Sequence, residues 1–387
     1  MAAQNQPLLS IVIPTLNEEL TIGEFIDWCW EGIQKAGVTG QILIIDSSTD
    51  NTAQIAKSKG AEVVCVPKRG LGRAYIDSLP YICGRFVIMG DADLTYDFRE
   101  LWLFVEKMNQ GYEFVMGSRY LGYIEPGAMP PLHRYFGTPL TTWILNTMFG
   151  TKYSDIHCGM RAITLEALKK IRLASQSWEY ASEMVLKASR YNLKIAEVPI
   201  RFYKDREGRL SHLKRSGWTT PWKAGWINLR VMFLYGADFF LLTPGVVTFI
   251  LGFLLTTSLV NGEYSIGPIF LNLHWMLLGL TLTTLGYSAT QLGVISRVYN
   301  NFEETFTRTV EKLITYEHGV IWGFVLFLIG FFINLNLLFL WITSGLRLAH
   351  FYYPGMFGLL LMILGFQTFT FTLILQMILR NNHPSTN

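Results

Sequence analysis

The chain of 387 residues is 50% hydrophobic and only 16% charged, with a net charge of +3, against about 25% charged residues in an ordinary soluble domain. Residues 1–238 hold 51 of the 61 charged side chains, whereas 239–296 contain only Glu263 and 319–379 only Arg347. This excludes a single soluble globule, a disordered chain and a fibre. With 29 acidic residues against 32 basic ones, the chain also lacks a general attraction for polyanions, so no nucleic-acid partner is expected.

Short β-branched runs alternate with amphipathic stretches from the start. LSIVIPTLNE (9–18) predicts a strand, 20–37 a helix, QILIIDSS (41–48) a strand, 50–59 a helix, EVVCVP (62–67) a strand, 71–82 a helix and RFVIMGDAD (85–93) a strand. Such alternation implies parallel strands with crossover helices, and continuous apolar runs such as 42–45 and 86–89 suit strands buried on both faces. In open sheets of this class ligands sit outside the carboxyl ends of the strands. Three of those ends carry polar groups for one site: Asn17 with Glu18, Asp46 with Asp50, and Asp91 with Asp93. Beyond them a buried strand is expected at 114–117, a Pro-, Gly- and aromatic-rich segment at 120–150, a helix near 179–190 and a strand near 194–202.

Residues 201–230 carry eight Lys or Arg against Asp205 and Glu207, and Trp218, Trp222, Trp226, Leu229 and Phe233 recur among them at helical spacing, the pattern of an interfacial helix on anionic lipid. Four apolar stretches follow, near 239–260, 273–296, 320–343 and 356–379, each of the ~20 residues that a bilayer requires. Between the second and third, Phe302, Phe306, Val310, Leu313 and Ile314 form one helical stripe among charges, a second interfacial helix. Lys and Arg are concentrated in the segment before the first stretch and in this linker, so the positive-inside rule places both chain ends in the cytoplasm. The division expected is a cytosolic domain over 1–216, an amphipathic helix over 217–238, spans one and two in 239–297, a linker over 298–318, spans three and four in 319–380, and a tail over 381–387. The only early apolar run, 8–14, lacks a signal peptide's length and basic flank. The four cysteines form no CxxC pair and read as reduced, buried thiols, and His133, His274, His318 and His350, which belong to no motif, read as structural.

Asp91 and Asp93 alternate at the end of an apolar strand, so both carboxylates fall on one side of the chain. Held there, they repel each other unless a cation bridges them, and oxygen ligands suit Mg²⁺ or Mn²⁺ shared with a diphosphate. The adjacent His157 and Cys158 point oppositely on an extended chain, which argues against a Cys–His nucleophile.

PTLNE (14–18), Asp46 with SSTDNT, KRGLGRA (68–74), GDADLTYD (90–97), GSRY (117–120) and SDIHCGMRA (154–162) occur in the order found in family-two glycosyltransferases of the GT-A, Rossmann-like α/β fold. More narrowly, the chain resembles the polyprenyl-phosphate glycosyltransferases of the dolichyl-phosphate mannose and glucose synthase type, in GMRA, in AEVPIRF (196–202) and in REGRLSHL (206–213). The likeness covers about residues 8–235.

The resemblance implies that Pro14, Thr15, Asn17, Glu18 and Asp46 hold the nucleoside, and that Lys68, Arg69, Gly70 and Gly72, opening a helix, receive the donor's phosphates. Asp93 becomes a metal ligand, with Asp91 on the metal or the ribose. Family members often have Gln two residues after the second Asp, and Thr95 stands there instead as the third candidate ligand. Arg119 becomes a phosphate ligand, a salt bridge to a carboxylate being the alternative, and Arg201, Arg206, Ser211 and His212 would receive the lipid phosphate. Asp155 would act by positioning and electrostatics, because a phosphate acceptor is already anionic and needs no base.

The function expected is inverting transfer of a hexose from a nucleotide diphosphate sugar, UDP-glucose rather than GDP-mannose, to polyprenyl or dolichyl phosphate on the cytoplasmic leaflet. The enzyme would be a metal-dependent, multi-pass protein of a cell or endoplasmic-reticulum-type membrane. A homo-oligomer is compatible with the chain, and nothing in the sequence requires one. A processive polysaccharide synthase would carry a Gln-x-x-Arg-Trp motif, which is absent. A flippase or a scaffold with a degenerate transferase domain fits poorly with intact Asp91 and Asp93 and with charge-poor spans.

Overall fold

A computed structural model of the chain describes residues 6–206, 226, 229, 230, 232, 233, 235–300, 303–346 and 351–382. The expected Ser211 and His212 ligands, most of the expected 217–238 helix, Phe302, Arg347 and His350 lie outside the described residues. The chain divides into two compact units, Met1–Leu234 and Tyr235–Asn387.

The first unit alternates as expected: β1 (Leu9–Thr15), α1 (Ile22–Ala36), β2 (Gly40–Asp46), α2 (Thr52–Ser58), β3 (Glu62–Cys65), α3 (Leu71–Ser78), β4 (Phe86–Met89), α4 (Trp102–Asn109), β5 (Phe114–Ile124), α5 (Thr138–Phe149), β6 (Arg161–Thr164), α6 (Leu165–Ile171), α7 (Tyr180–Arg190) and β7 (Ile195–Phe202). α1 shows why these stretches fold: Ile22, Phe25, Ile26, Cys29 and Ile33 recur at helical spacing and are buried, while Asp27 and Glu31 lie outside. The seven strands form one sheet in the order β3-β2-β1-β4-β6-β5-β7. β1 to β4 are mutually parallel, as their alternation with helices implied, and so are β5 and β7, but β6, a strand not expected from the sequence, runs antiparallel to both of its neighbours. Its four residues, RAIT, begin with a charge and are too short for their periodicity to read as a strand.

With β1 between β2 and β4, the strand order reverses at β1, where open α/β sheets keep their ligand crevice. The carboxyl ends of β2, β1 and β4 therefore lie side by side, as the polar strand ends required. On the other side, the pairing of β5 with β7 shifts register between Ser118 and Tyr123, which breaks the ladder where Arg119 leaves it.

The second unit comprises α8 (Ala237–Ser258), a hairpin of β8 (Tyr264–Ile266) and β9 (Ile269–Leu271), α9 (Leu273–Asn300), α10 (Glu304–Leu313), α11 (Tyr316–Thr343) and α12 (Tyr353–Asn382). Of the four expected spans, three are, among the described residues, helices long and apolar enough to cross a membrane: α8, α11 and α12, with mean hydropathies of 2.1, 2.4 and 2.0. The second expected span, α9, has the length but not the composition, because Thr281, Thr283, Thr284, Ser288, Thr290 and Gln291 interrupt its apolar residues. α9 packs on α8 through glycines. A Cβ on Gly286 would stand 2.2 Å from the Phe249 nitrogen, and one on Gly252 2.4 Å from that of Thr283, so the two backbones are in contact. α10 lies within the segment expected to form an amphipathic linker. Phe306, Val310 and Ile314 pack with Val298, Leu375 and Leu379, whereas Leu313, expected in the same stripe, is exposed. The cysteines are all free, but Cys65 and Cys83 are exposed, which corrects their reading as buried thiols.

Candidate active site

The hydroxyl of Thr15, last in β1, donates to Oδ1 of Asp46, last in β2, at 2.7 Å, and the Ser48 hydroxyl donates to the same oxygen at 2.6 Å. Both bonds fall on Oδ1, and no described residue donates to Oδ2 of this buried carboxylate. Asn17, at a φ of 59°, turns the chain so that its backbone N–H meets Ser48 and its side-chain oxygen accepts from Thr49. Glu18 is buried, its N–H on Thr52 and its carboxylate accepting from Thr21.

Asp91 and Asp93 follow β4, each half-buried. Leu94 takes a φ of 63°, a conformation that costs a leucine energy and persists only where its surroundings enforce it. The turn folds Thr95 back onto Asp93, whose Oδ1 accepts both the Thr95 N–H, at 3.0 Å, and its hydroxyl, at 2.6 Å. Thr95 thus orients Asp93. Beyond it, Tyr203 donates its N–H to the Thr95 carbonyl, and Tyr96 packs its ring on Phe202. Among the described residues no group of three or more His, Cys, Asp or Glu side chains converges, and Asp91 and Asp93 are the two carboxylates at this strand end.

The glycine pair of the expected phosphate loop packs closely on a neighbouring segment. A Cβ on Gly70 would meet the Gln176 carbonyl at 2.2 Å and one on Gly72 the Ser175 carbonyl at 2.3 Å, so the close approach that these glycines permit is to the 175–177 backbone. Arg69 is paired with Asp77 at 2.8 Å, and Lys68 is exposed.

Arg119 and Asp155 form a buried, two-pronged ion pair at 2.6 and 2.8 Å, and the Arg119 N–H also reaches Asp155. The salt-bridge alternative describes this geometry. Although burial opposes its ionisation, the Arg119 guanidinium holds the Asp155 carboxyl below the usual carboxylate range. Burial pushes His157 down to about 4 and the Cys158 thiol up to about 12, so neither the proton acceptor nor the thiolate of a nucleophilic pair is matched to neutral pH. Arg201 pairs with Glu100 at 3.1 Å and Arg206 with Glu24 at 2.6 Å, both as half-exposed surface pairs.

Three residues outside the expected set shape this site. Glu197 on β7 accepts the backbone N–H and hydroxyl of Ser154 and thereby anchors the segment that carries Asp155. It is the one carboxylate in AEVPIRF, a signal present in the sequence but attached to no role. Gly159 lies against Asp91 and donates its N–H to the Tyr96 hydroxyl. Arg161, fully buried, donates to the carbonyls of Ala181 and Cys158 and so ties the same segment to α7.

Residues 10–172 match Glycosyl transferase family 2, and residues 294–379 match the Glycosyltransferase family 2 C-terminal transmembrane region. A hexosyltransferase of low-salt glycan biosynthesis from Haloferax volcanii, Agl6, is 34% identical over 344 residues, 88% of this chain and 81% of that one. A dolichyl-phosphate hexose transferase of the same organism is 31% identical over 205 residues, 52% of this chain and 84% of that one. Among solved structures, glucosyl-3-phosphoglycerate synthase from Mycobacterium tuberculosis with Mn²⁺, UDP-glucose and phosphoglyceric acid is 22% identical, covers 59% of this chain and 80% of its own, and has a TM-score of 0.45. The fold, the two family matches and the Agl6 relative define a glycosyltransferase of the GT-A α/β class with a C-terminal membrane region. The chain belongs to glycosyltransferase family 2, and its activity is glycosyl transfer.

Proposed function

We propose that the protein transfers a hexose, with inversion, from a nucleotide diphosphate sugar to a polyprenyl or dolichyl phosphate at the cytoplasmic leaflet, with UDP-glucose favoured over GDP-mannose. The observation that carries this reading is the line of strand ends, in which Asp46 with Thr15 stands beside the Asp91–Asp93 turn, in a chain with a membrane region. The dolichyl-phosphate hexose transferase relative supports the acceptor.

Hard carboxylate oxygens, with room beside Asp91 kept by the missing Cβ of Gly159, fit Mg²⁺ or Mn²⁺. Asp91 and Asp93 would hold the ion, with Thr95 beside them, and when bound it supplies charge neutralisation for the departing diphosphate. Asp46, its Oδ1 fixed by two hydroxyls, offers Oδ2 to donors on the base or ribose. Pro14, Asn17 and Glu18 complete the nucleoside's surroundings, and Lys68 and Arg69, with Gly70 and Gly72, lie by the diphosphate. Asp155 is sealed by Arg119 and is no nucleophile for a double displacement, so direct attack by the anionic lipid phosphate is the economical route. Arg201 and Arg206 can exchange weak surface pairs for that phosphate, together with Ser211 and His212.

α9 is proposed to cross the membrane as well, which completes four spans with both termini cytoplasmic. Its hydroxyls at Thr281, Thr283, Thr284, Ser288 and Thr290 bond back to carbonyls of their own helix, as a bilayer demands. Assay of membranes containing the protein with labelled nucleotide hexoses and polyprenyl phosphate tests the reading. One donor should yield an acid-labile lipid-phosphate sugar; transfer to a growing polymer, or to no lipid with any donor, would overturn it.

A further inference from the structure

Asp97 stands at the far end of the turn that begins at Asp93 and is only 3% exposed. Its Oδ1 accepts the Arg99 backbone N–H at 3.1 Å and the Arg99 Nε at 2.7 Å, and its Oδ2 accepts Nη2 of the same arginine at 2.8 Å. These bonds are local: they cap the short turn Phe98–Glu100 and pair it with its own neighbour. A further bond is not local. The Tyr203 hydroxyl, from the segment that follows β7, donates to Oδ2 at 3.1 Å. The Tyr203 ring meets Trp28 of α1 edge-on at 6.4 Å, and the Arg99 guanidinium lies over the same Trp28 at 4.3 Å. The turn after β4, the helix α1 and the end of β7 therefore converge on one carboxylate.

Tyr203 reaches the turn a second time. Its N–H donates to the Thr95 carbonyl at 2.8 Å, and the neighbouring Phe202 bridges Tyr96 in an antiparallel pair. Thr95 is thus held on both sides, its carbonyl by Tyr203 and its N–H and hydroxyl by Asp93. Between them Leu94 keeps a φ of 63°, which a leucine retains only under such support. Beyond Asp97 the support is closed by α1, where a Cβ on Gly32 would stand 2.2 Å from the Phe98 carbonyl oxygen.

We propose that Asp97 and Tyr203 are positioning residues for the metal, joined so that the turn they clamp keeps Asp93 aimed at the ion. They act through Thr95, in the way that groups behind a metal ligand fix its orientation. Asp97 is a poor candidate for a ligand itself, because donors from Arg99 and Tyr203 already occupy both of its oxygens. The proposal rests on the reading of Asp91 and Asp93 as the metal's carboxylates.

The test uses the purified full chain in detergent and measures free Mn²⁺ by its electron paramagnetic resonance signal, with UDP and, separately, with GDP. Tyr203→Phe is the informative variant, because it keeps the ring on Trp28 and the N–H on Thr95 and removes only the hydroxyl on Asp97. It should weaken Mn²⁺ binding about tenfold, the order expected when the partner of a metal ligand is lost. Asp97→Asn should weaken it at least as much, and the double variant no more than Asp97→Asn alone, since both changes act on the same bond. In the transfer assay the Mn²⁺ concentration for half-maximal rate should rise by the same factor, while kcat at saturating Mn²⁺ returns close to the wild-type value. Ile42→Val, a buried substitution in the amino-terminal half of β2, should lower the melting temperature and leave Mn²⁺ affinity unchanged. Wild-type affinity in Tyr203→Phe would overturn the proposal, as would an equal loss in Ile42→Val, the mark of a general loosening. A wild-type chain that binds no Mn²⁺ with either nucleotide would instead strike the metal reading itself, and the proposal with it.

Discussion

Gly159 faces Asp91 so closely that a Cβ on the glycine would stand 2.7 Å from Oδ2 of the carboxylate. The same Cβ would press on the Tyr96 ring and hydroxyl at 3.0 and 3.1 Å. Gly159→Ala should therefore displace Asp91 and lower kcat/KM by about 100-fold, the order expected for a misplacement of about 1 Å. Kinetics on membranes with intact protein levels check this, and wild-type turnover would show that Asp91 can move without loss.

Asp93→Ala should abolish lipid-linked sugar synthesis to within the assay limit while the protein remains in the membrane fraction. Thr95→Val removes the hydroxyl but leaves the N–H on Asp93, so a loss of only about tenfold is expected, the value of one hydrogen bond to a charged group, recovered in part by more Mn²⁺ or Mg²⁺. Full activity in Asp93→Ala would make the metal assignment wrong.

Breaking the Arg119–Asp155 pair from one side leaves a buried charge, and Arg119→Met should cost about 3–5 kcal/mol of stability. Arg119→Met with Asp155→Leu should cost less than either single change. Asp155 titrates below its unfolded value, so the stabilisation is fully present above the ordinary carboxylate range and is lost as pH falls beneath it. Thermal melts between pH 7 and pH 3 of wild type and double variant should converge at the acid end.

His157 adds a second pH dependence at higher pH. Its folded value of about 4 lies below the ordinary 6.5, so between these limits the unfolded chain binds a proton that the folded chain refuses. Stability should fall as pH is lowered through that window, and His157→Gln should remove this component. A slope unchanged by the substitution would assign it elsewhere.

Arg206 makes one half-exposed pair with Glu24, worth about 0–1 kcal/mol at most. Arg206→Ala should therefore leave stability nearly unchanged and raise the apparent KM for lipid phosphate more than that for the nucleotide sugar. The reverse split would move Arg206 to the donor side.

The parts of the fold read correctly from sequence are those where one physical signal dominates. Uninterrupted apolar runs marked β1, β2 and β4, and the polar residues just beyond them marked one edge of the sheet, because parallel strands must present their carboxyl ends together. β6 escaped because four residues led by Arg161 have no legible period. α5 escaped because both of its faces are apolar, so it shows no amphipathic pattern. α9 has the length of a span, but its hydroxyls dilute the apolar composition that marks α8, α11 and α12.

The sequence by itself determined the division into a polar, alternating α/β half and a charge-poor half, and the carboxylates that end the buried strands, since burial and strand direction follow from local patterning. Only the tertiary structure decided what those groups meet. Arg119 faces Asp155, Thr95 holds Asp93, Gly70 and Gly72 lie against the 175–177 backbone, and Gly159 makes room for Asp91. Each of these contacts, except that of Thr95, joins residues about 35 to 105 positions apart in the chain or belongs to a segment placed by such a contact. Their reason is packing, which no window of neighbouring residues contains.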